Sequence, residues 1–123
     1  MSFKNIFLAV GGIVIFVVAI GFVYNLVSRP PEKTNEVILY YGDTCPHCKI
    51  VEEYLSKSRP VEKKLNLIKK EVYNNRDNAN DMGTKAEICR YYNPAGIPVP
   101  FFYNKGTCLV GDKPIIDFFK KIK

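Results

Sequence analysis

Glu36-Val37-Ile38-Leu39-Tyr40-Tyr41-Gly42, followed at once by Asp43-Thr44-Cys45-Pro46-His47-Cys48, is the stretch on which the fold turns. Residues 36–41 are β-branched, aromatic and apolar almost throughout, and Gly42 stops them, as expected of a strand buried on both faces. Pro46 stands where the first turn of a helix tolerates proline. Ile50, Val51, Tyr54 and Leu55 then recur at helical spacing, so a helix is expected over residues 45–57. Strand followed directly by helix puts the Cys-x-x-Cys spacing at their junction, with Cys45 at the helix N-terminus and Cys48 one turn inside.

That position matters for sulfur chemistry. The free N–H groups and the dipole at a helix N-terminus stabilise a thiolate, which is both the nucleophile and the better leaving group in disulfide exchange. A depressed pKa is therefore expected for Cys45, which attacks or is attacked while Cys48 resolves. Pro46 has no amide hydrogen to lose in the first turn, and His47 in its cationic form adds favourable charge beside the thiolate; the plainer reading of His47 is a solvent-facing side chain with no role. Stabilising the reduced form makes a disulfide more oxidising, which lets one arrangement cover roughly −270 to −120 mV.

Towards the C-terminus, residues 66–73 read as a second strand, although Leu67-Ile68 followed by Lys69-Lys70-Glu71 alternates poorly. Asp77 can cap a helix running towards Tyr92, with Met82, Ala86, Ile88 and Cys89 on its apolar face and Gly83 weakening it by about 1 kcal/mol relative to Ala. Asn93-Pro94-Ala95-Gly96 is a loop, residues 99–103 a strand, Asn104-Lys105-Gly106 a hairpin turn and residues 107–110 its partner. Asp112 and Pro114 open a last helix whose inward face carries Ile115, Ile116, Phe118, Phe119 and Ile122. The expected order is βαβαββα.

Two further cysteines, Cys89 and Cys108, have no close cysteine neighbour in sequence. They read as two buried thiols, as a structural disulfide if the domain lies outside the cytoplasm, or as a relay passing oxidising equivalents to the first pair. A zinc site made of Cys45, Cys48, Cys89 and Cys108 is the metal alternative; the second pair lacks knuckle spacing, and neither metal nor cofactor is called for.

At the other end, residues 6–27 read IFLAVGGIVIFVVAIGFVYNLV, without a charge and with Asn25 as the only strongly polar side chain. At about 1.5 Å per residue this run covers the roughly 30 Å hydrocarbon core of a bilayer. A cleaved signal peptide, with Lys4 as its charged region and Ala19-Ile20-Gly21 near a cleavage site, competes, but the apolar run continues through Phe22, Val23, Leu26 and Val27. An uncleaved single anchor is the expectation. Lys4 on one side nearly balances Arg29 and Lys33 on the other, so charge does not set the orientation. Residues 1–5 form a short tail, 28–35 a polar, proline-bearing linker and 36–123 one domain, in a chain of 123 residues.

The formal charge of +6 is spread over doublets such as Lys63-Lys64, Lys69-Lys70 and Lys120-Lys121 in amphipathic stretches, which fits a solvated face. No nucleic-acid recognition motif is present, so nucleic acid is not an expected partner.

Tyr41-Gly42-Asp43-Thr44-Cys45-Pro46-His47-Cys48 resembles the active site of the thioredoxin superfamily: Thr-Cys-Pro is similar to glutaredoxins and Cys-Pro-His-Cys to the Dsb-type bacterial disulfide oxidases. Gly96-Ile97-Pro98-Val99-Pro100-Phe101-Phe102-Tyr103 resembles the loop in which that superfamily places a cis-proline before a strand. Followed by Leu109-Val110-Gly111-Asp112, it makes Pro100 the expected cis-proline on the glutaredoxin pattern; Pro98 is the alternative, since Gly96-Ile97-Pro98-Val99 also resembles the thioredoxin loop. The resemblance implies an α/β minimal thioredoxin fold with a central four-stranded mixed sheet. It also implies that Val99 offers its backbone to an extended substrate chain, and that the partners are protein thiols or disulfides and a redox partner protein. Glutathione binding is implied by the glutaredoxin likeness, but the Gly-Gly before the last helix is here Val110-Gly111. The chain lacks tryptophan, unlike thioredoxins, and has no room for the inserted helical domain of Dsb-type oxidases.

The expectation is thus a membrane-anchored thiol-disulfide oxidoreductase whose catalytic domain lies outside the cytoplasm. A glutaredoxin- or thioredoxin-like reductant, or an electron carrier to a membrane partner, is the alternative within the class. A metal-binding or redox-inert interaction domain is the alternative outside it.

Overall fold

A computed structural model describes residues 3–27 and 31–122. Met1, Ser2, linker residues 28–30 and Lys123 lie outside the described residues. Two compact units result, Met1–Pro30 and Pro31–Lys123.

In the first unit, α1 (Phe3–Val27) is one uninterrupted helix. Its stretch Val10–Val27 has a mean hydropathy of 2.4 and is unburied, long and apolar enough to cross a membrane. Asn25 donates its side-chain amide back to the Gly21 carbonyl at 3.3 Å, so the one polar side chain of the run is satisfied within the helix.

In the second unit the elements follow in the order β1 (Val37–Tyr41), α2 (Pro46–Lys57), α3 (Arg59–Leu65), β2 (Ile68–Glu71), α4 (Arg76–Ile88), β3 (Phe101–Asn104), β4 (Thr107–Val110) and α5 (Asp112–Lys120). This is an α/β architecture with a four-stranded mixed sheet, β2-β1-β3-β4. β2 runs parallel to β1, reached through the α2–α3 crossover, while β3 and β4 are antiparallel neighbours.

The period of two along each strand divides the core. Val37 and Leu39 of β1 and Phe102 of β3 face Val51 and Leu55 of α2, Val61 of α3, and Ile115 and Phe119 of α5. Ile38, Tyr40, Phe101 and Tyr103 face the other way, onto Met82 and Ala86 of α4. With residues 37–40 buried, β1 is covered on both faces, as the unbroken apolar run demands. Full burial contributes roughly 1.5–3 kcal/mol for each large apolar side chain, which makes Phe102 and Phe119 principal supports of the layer beneath the cysteine motif.

Several element ends differ from expectation. Cys45 is not inside α2 but caps it, and an additional short helix, α3, occupies residues between the first helix and the second strand. Pro60 is accepted there because it falls in the first turn, where no N–H is required, and Asn66 closes the helix in the left-handed conformation at φ 48°. The second strand is shorter, and α4 is capped by the Asn75 side chain, which accepts from the Asn78 N–H at 3.0 Å, leaving Asp77 in the first turn. That helix stops at Ile88 because Arg90 turns left-handed at φ 55°. The third strand begins at Phe101, after the two prolines. Its hairpin uses Lys105 and Gly106, both at positive φ (50° and 94°), which matches the twist of the flanking strands.

The stretch read as linker also makes contacts with the sheet and with α4. Thr34, in the stretch read as linker, donates its N–H to the Tyr103 hydroxyl at 3.0 Å, and that hydroxyl donates to the Thr34 carbonyl at 3.1 Å. Lys85, buried on α4, donates to Thr34 Oγ1 at 2.9 Å and to Glu36 Oε2 at 2.6 Å. Its Nζ also sits 5.1 Å from the Tyr103 ring centre, so its buried charge is neutralised and hydrogen-bonded. Nearby, Asp81 accepts from Lys70 at 2.6 Å and from the Tyr40 hydroxyl at 2.7 Å. Burial first, and then that bond to Asp81, push the Tyr40 phenol far above its ordinary range, so it stays a donor.

These contacts set a pH dependence. The hydrogen bond from Lys85, then that from Thr34, hold Glu36 below the usual carboxylate range despite some burial. For Asp81, burial pushes upward but the bonds from Lys70 and Tyr40 outweigh it, and the net direction is again down. A carboxyl whose folded pKa lies below its unfolded value contributes stability that is complete above the unfolded value, about 4, and is lost as pH falls through the lower folded one. The urea midpoint of the domain is therefore expected to hold between about pH 7 and 5 and to fall below about pH 4, with the fall reduced in a Glu36→Gln, Asp81→Asn double variant. An unchanged acid limb in that variant would remove these two groups as its source.

Candidate functional site

The C-terminal end of β1 leads through Gly42-Asp43-Thr44 into α2, and this turn is closed by the Cys45 N–H donating to the Gly42 carbonyl at 3.0 Å. A Cβ on Gly42 would overlap the ring of Tyr73. Cys45 is in extended conformation (φ −81°, ψ 114°) as the N-cap of α2, and its Sγ accepts from the Cys48 N–H at 3.1 Å. A side chain in this place normally offers an oxygen; here it is sulfur, so an N–H that the helix leaves unpaired points directly at the atom that carries charge in the reduced state.

Cys45 and Cys48 are joined as a disulfide, with Cα atoms 5.3 Å apart. Both are buried, Cys45 at 5% exposed and Cys48 at 1%, so Cys45, at the end of the helix, is the less covered of the two. Pro46 is the first residue of α2, and both it and His47 are exposed.

The segment 91–100 comes back over the same end of the sheet. Val99 places its carbonyl oxygen 3.6 Å from Cys45 Sγ. The Val99–Pro100 bond is cis, the only cis bond among the described residues, and Pro100 is buried whereas Pro98 is exposed. The Pro100 carbonyl accepts from the Gly111 N–H at 2.9 Å, which ties this segment to the turn that starts α5. Cys45, Cys48, Val99 and Pro100, distant in sequence, thus converge at one end of the sheet.

His47 faces Asp112, which the sequence singled out only as the opening of the last helix. Its Nδ1 lies 3.4 Å from Asp112 Oδ1, across the packed helices α2 and α5. Burial pushes the Asp112 carboxyl up, but the hydrogen bond from His47 and backbone N–H groups of Lys113 and Asp112 outweigh it, and its pKa is lowered. Asp112 is therefore ionised at neutral pH. The available signal was its place at the start of a helix, where an acidic residue is usual for reasons unconnected with a site.

Cys89 and Cys108 do not join this cluster. They form their own disulfide, Cα atoms 5.9 Å apart, between the C-cap of α4 and the middle of β4, opposite Tyr103 in the ladder. Both are half-buried against the α4 face of the sheet. The zinc alternative needs all four sulfurs around one ion, whereas each pair here is closed separately, and among the described residues no group of three or more His, Cys, Asp or Glu side chains is placed to hold a metal.

Chemically, the arrangement is a cysteine pair of unequal accessibility at a helix N-terminus, facing a backbone carbonyl, and it is compatible with redox exchange. No family model and no curated protein matches this sequence.

Proposed function

We propose that this protein is a thiol-disulfide oxidoreductase of thioredoxin-like build, anchored in a membrane by residues 6–27 and exchanging disulfides with protein substrates through Cys45. The observation that carries the reading is the Cys45 sulfur at the N-cap of α2, receiving the Cys48 N–H at 3.1 Å with the Val99 carbonyl 3.6 Å away.

In the reducing direction the Cys45 thiolate attacks one sulfur of a substrate disulfide, forming a Cys45–substrate disulfide and releasing the other substrate sulfur as a thiolate. Cys48 then loses its proton and attacks the Cys45 sulfur, which forms the Cys45–Cys48 bond and releases the second substrate thiolate. Two electrons pass from the protein to the substrate. The oxidising direction is the same path reversed: a substrate thiolate attacks Cys45 of the protein disulfide and releases Cys48, which takes up a proton, and the second substrate thiolate then attacks the substrate sulfur of the mixed disulfide and releases Cys45, the thiolate that the helix N-terminus stabilises. Val99, next to the sulfur, offers main-chain hydrogen bonding to a substrate strand.

A second disulfide remote from the cysteine motif suits an oxidising compartment, which favours an extracytoplasmic domain and the oxidising direction. The deciding experiment is equilibration of the full chain, in detergent, against glutathione and dithiothreitol buffers. A potential near or above about −180 mV is expected and would identify an oxidase or isomerase. A value near about −270 mV would make it a thioredoxin-like reductant. A Cys45–Cys48 pair that does not open and close reversibly would overturn the redox reading altogether.

A further inference from the structure

The first turns of α2 and α5 lie side by side. Val51 and Leu55 of α2 pack with Ile115 and Phe119 of α5 in one cluster, and this brings His47, in the first turn of one helix, to Asp112, the first residue of the other. Asp112 exposes 19% of its side chain and His47 68%, so the carboxylate is the more enclosed member and the imidazole the more exposed one. Gly111, at φ 91°, is the N-cap of α5 and has no side chain to offer its first turn, and the Asp112 carboxylate takes the backbone N–H groups of Lys113 and Asp112 as well as His47.

Resting on the exchange chemistry proposed above, we propose that Asp112 is a positioning residue of this site. It holds the His47 ring towards the start of α5, so that any proton on the imidazole is set against a carboxylate and not against the Cys45 sulfur. Reduction of the disulfide creates one new charge, the Cys45 thiolate, and whatever stabilises that charge drives the pair towards the dithiol. A cationic His47 released from Asp112 is free to do so. An imidazolium engaged with a carboxylate presents almost no net charge to its surroundings. Asp112 therefore moderates the oxidising power that Cys-Pro-His-Cys would otherwise have at a helix N-terminus.

The test is the Cys45–Cys48 equilibrium with glutathione for the full chain and three variants: Asp112→Asn, His47→Ala and the two combined. For an exposed pair the asparagine variant is expected to shift the equilibrium about three- to fivefold towards the dithiol. Fivefold corresponds to about 20 mV for a two-electron couple. The Cys45 thiolate fraction at fixed pH, read by its absorbance near ~240 nm, is expected to rise with it. In the His47→Ala background the same substitution is expected to change the equilibrium by less than about twofold, and Asp112→Glu is expected to restore the parent value. An equal shift with and without His47 would mean that Asp112 acts only through its own charge and would overturn the proposal. So would no shift in a chain that still exchanges with glutathione. A parent chain that does not exchange at all is a different result: it removes the redox reading, and this inference with it.

Discussion

Serine at position 45 is expected to abolish exchange, lowering the rate of insulin-disulfide reduction or of substrate oxidation by roughly three orders of magnitude or more. Serine at position 48 is expected to fail differently. Cys45, the less covered of two buried cysteines, still caps α2 and still receives the N–H of residue 48 at 3.1 Å, because that contact comes from the backbone. The first step therefore proceeds, the resolving step does not, and a Cys45–substrate mixed disulfide accumulates. Mass spectrometry after incubation with an oxidised peptide should find one peptide adduct on Cys45 in the Cys48→Ser chain and none in the Cys45→Ser chain. An adduct on Cys48, or turnover surviving without Cys45, would reverse the assigned roles. Circular dichroism is expected to be unchanged, since neither sulfur fills space that the hydroxyl leaves badly empty.

The second large effect concerns stability. The Cys89–Cys108 bond closes a loop over a sequence separation of 19, which contains the whole irregular segment 91–100 and strand β3. By the chain-entropy relation a loop of this size stabilises the folded state by about 3 kcal/mol. For a domain of this size each kcal/mol moves the melting temperature by about 4–8 °C, so a Cys89→Ala, Cys108→Ala double variant should melt on the order of 15 °C lower. Scanning calorimetry of both chains with the Cys45–Cys48 pair fully oxidised measures this directly. A change under about 3 °C would show that the bond adds little to what Tyr91 already provides through its N–H to the Ala86 carbonyl and its ring against Phe101.

The alternation of strands and helices was legible because the signals were local and mutually consistent, whereas the four-stranded mixed sheet was expected only from the resemblance to the thioredoxin superfamily. The apolar run 37–41, the proline at the start of α2, the Asn104-Lys105-Gly106 turn and the Ile115/Phe119 spacing each demand one kind of element. The short helix α3 was not legible. Arg59-Pro60-Val61-Glu62-Lys63-Lys64-Leu65 is less than two turns long, buries only Val61, and carries a proline that reads as a breaker unless its place in the first turn is known. The cap of α4 was ambiguous for a related reason: Asn75 and Asp77 are both good capping residues, and only the path of the chain after β2 selects Asn75.

Within the candidate site, the cysteine spacing was readable because all of its members lie within one turn of helix. The partner of His47 was not, because Asp112 reaches it through the packing of α2 on α5, and no short-range pattern encodes that pairing. The pairs Lys85–Glu36 and Lys70–Asp81 escaped for the same reason, since ion pairs across a sheet and a helix leave no periodic trace. The fate of Cys89 and Cys108 depended on whether the end of α4 and the middle of β4 come within disulfide reach. Sheet order decides that, and individual residues do not.

Gly111 occupies a junction with consequences for how this protein can change over generations. Its N–H holds the Pro100 carbonyl at 2.9 Å, and the next residue is the carboxylate that meets His47. At φ 91° it has no ready replacement among residues with a side chain. The segment that carries Pro100 and the carboxylate that meets His47 therefore share a single pivot. A drift in the β4–α5 turn alters both together, and variants that retune one without the other must arise elsewhere, on the exposed face of α2 or in residues 91–98.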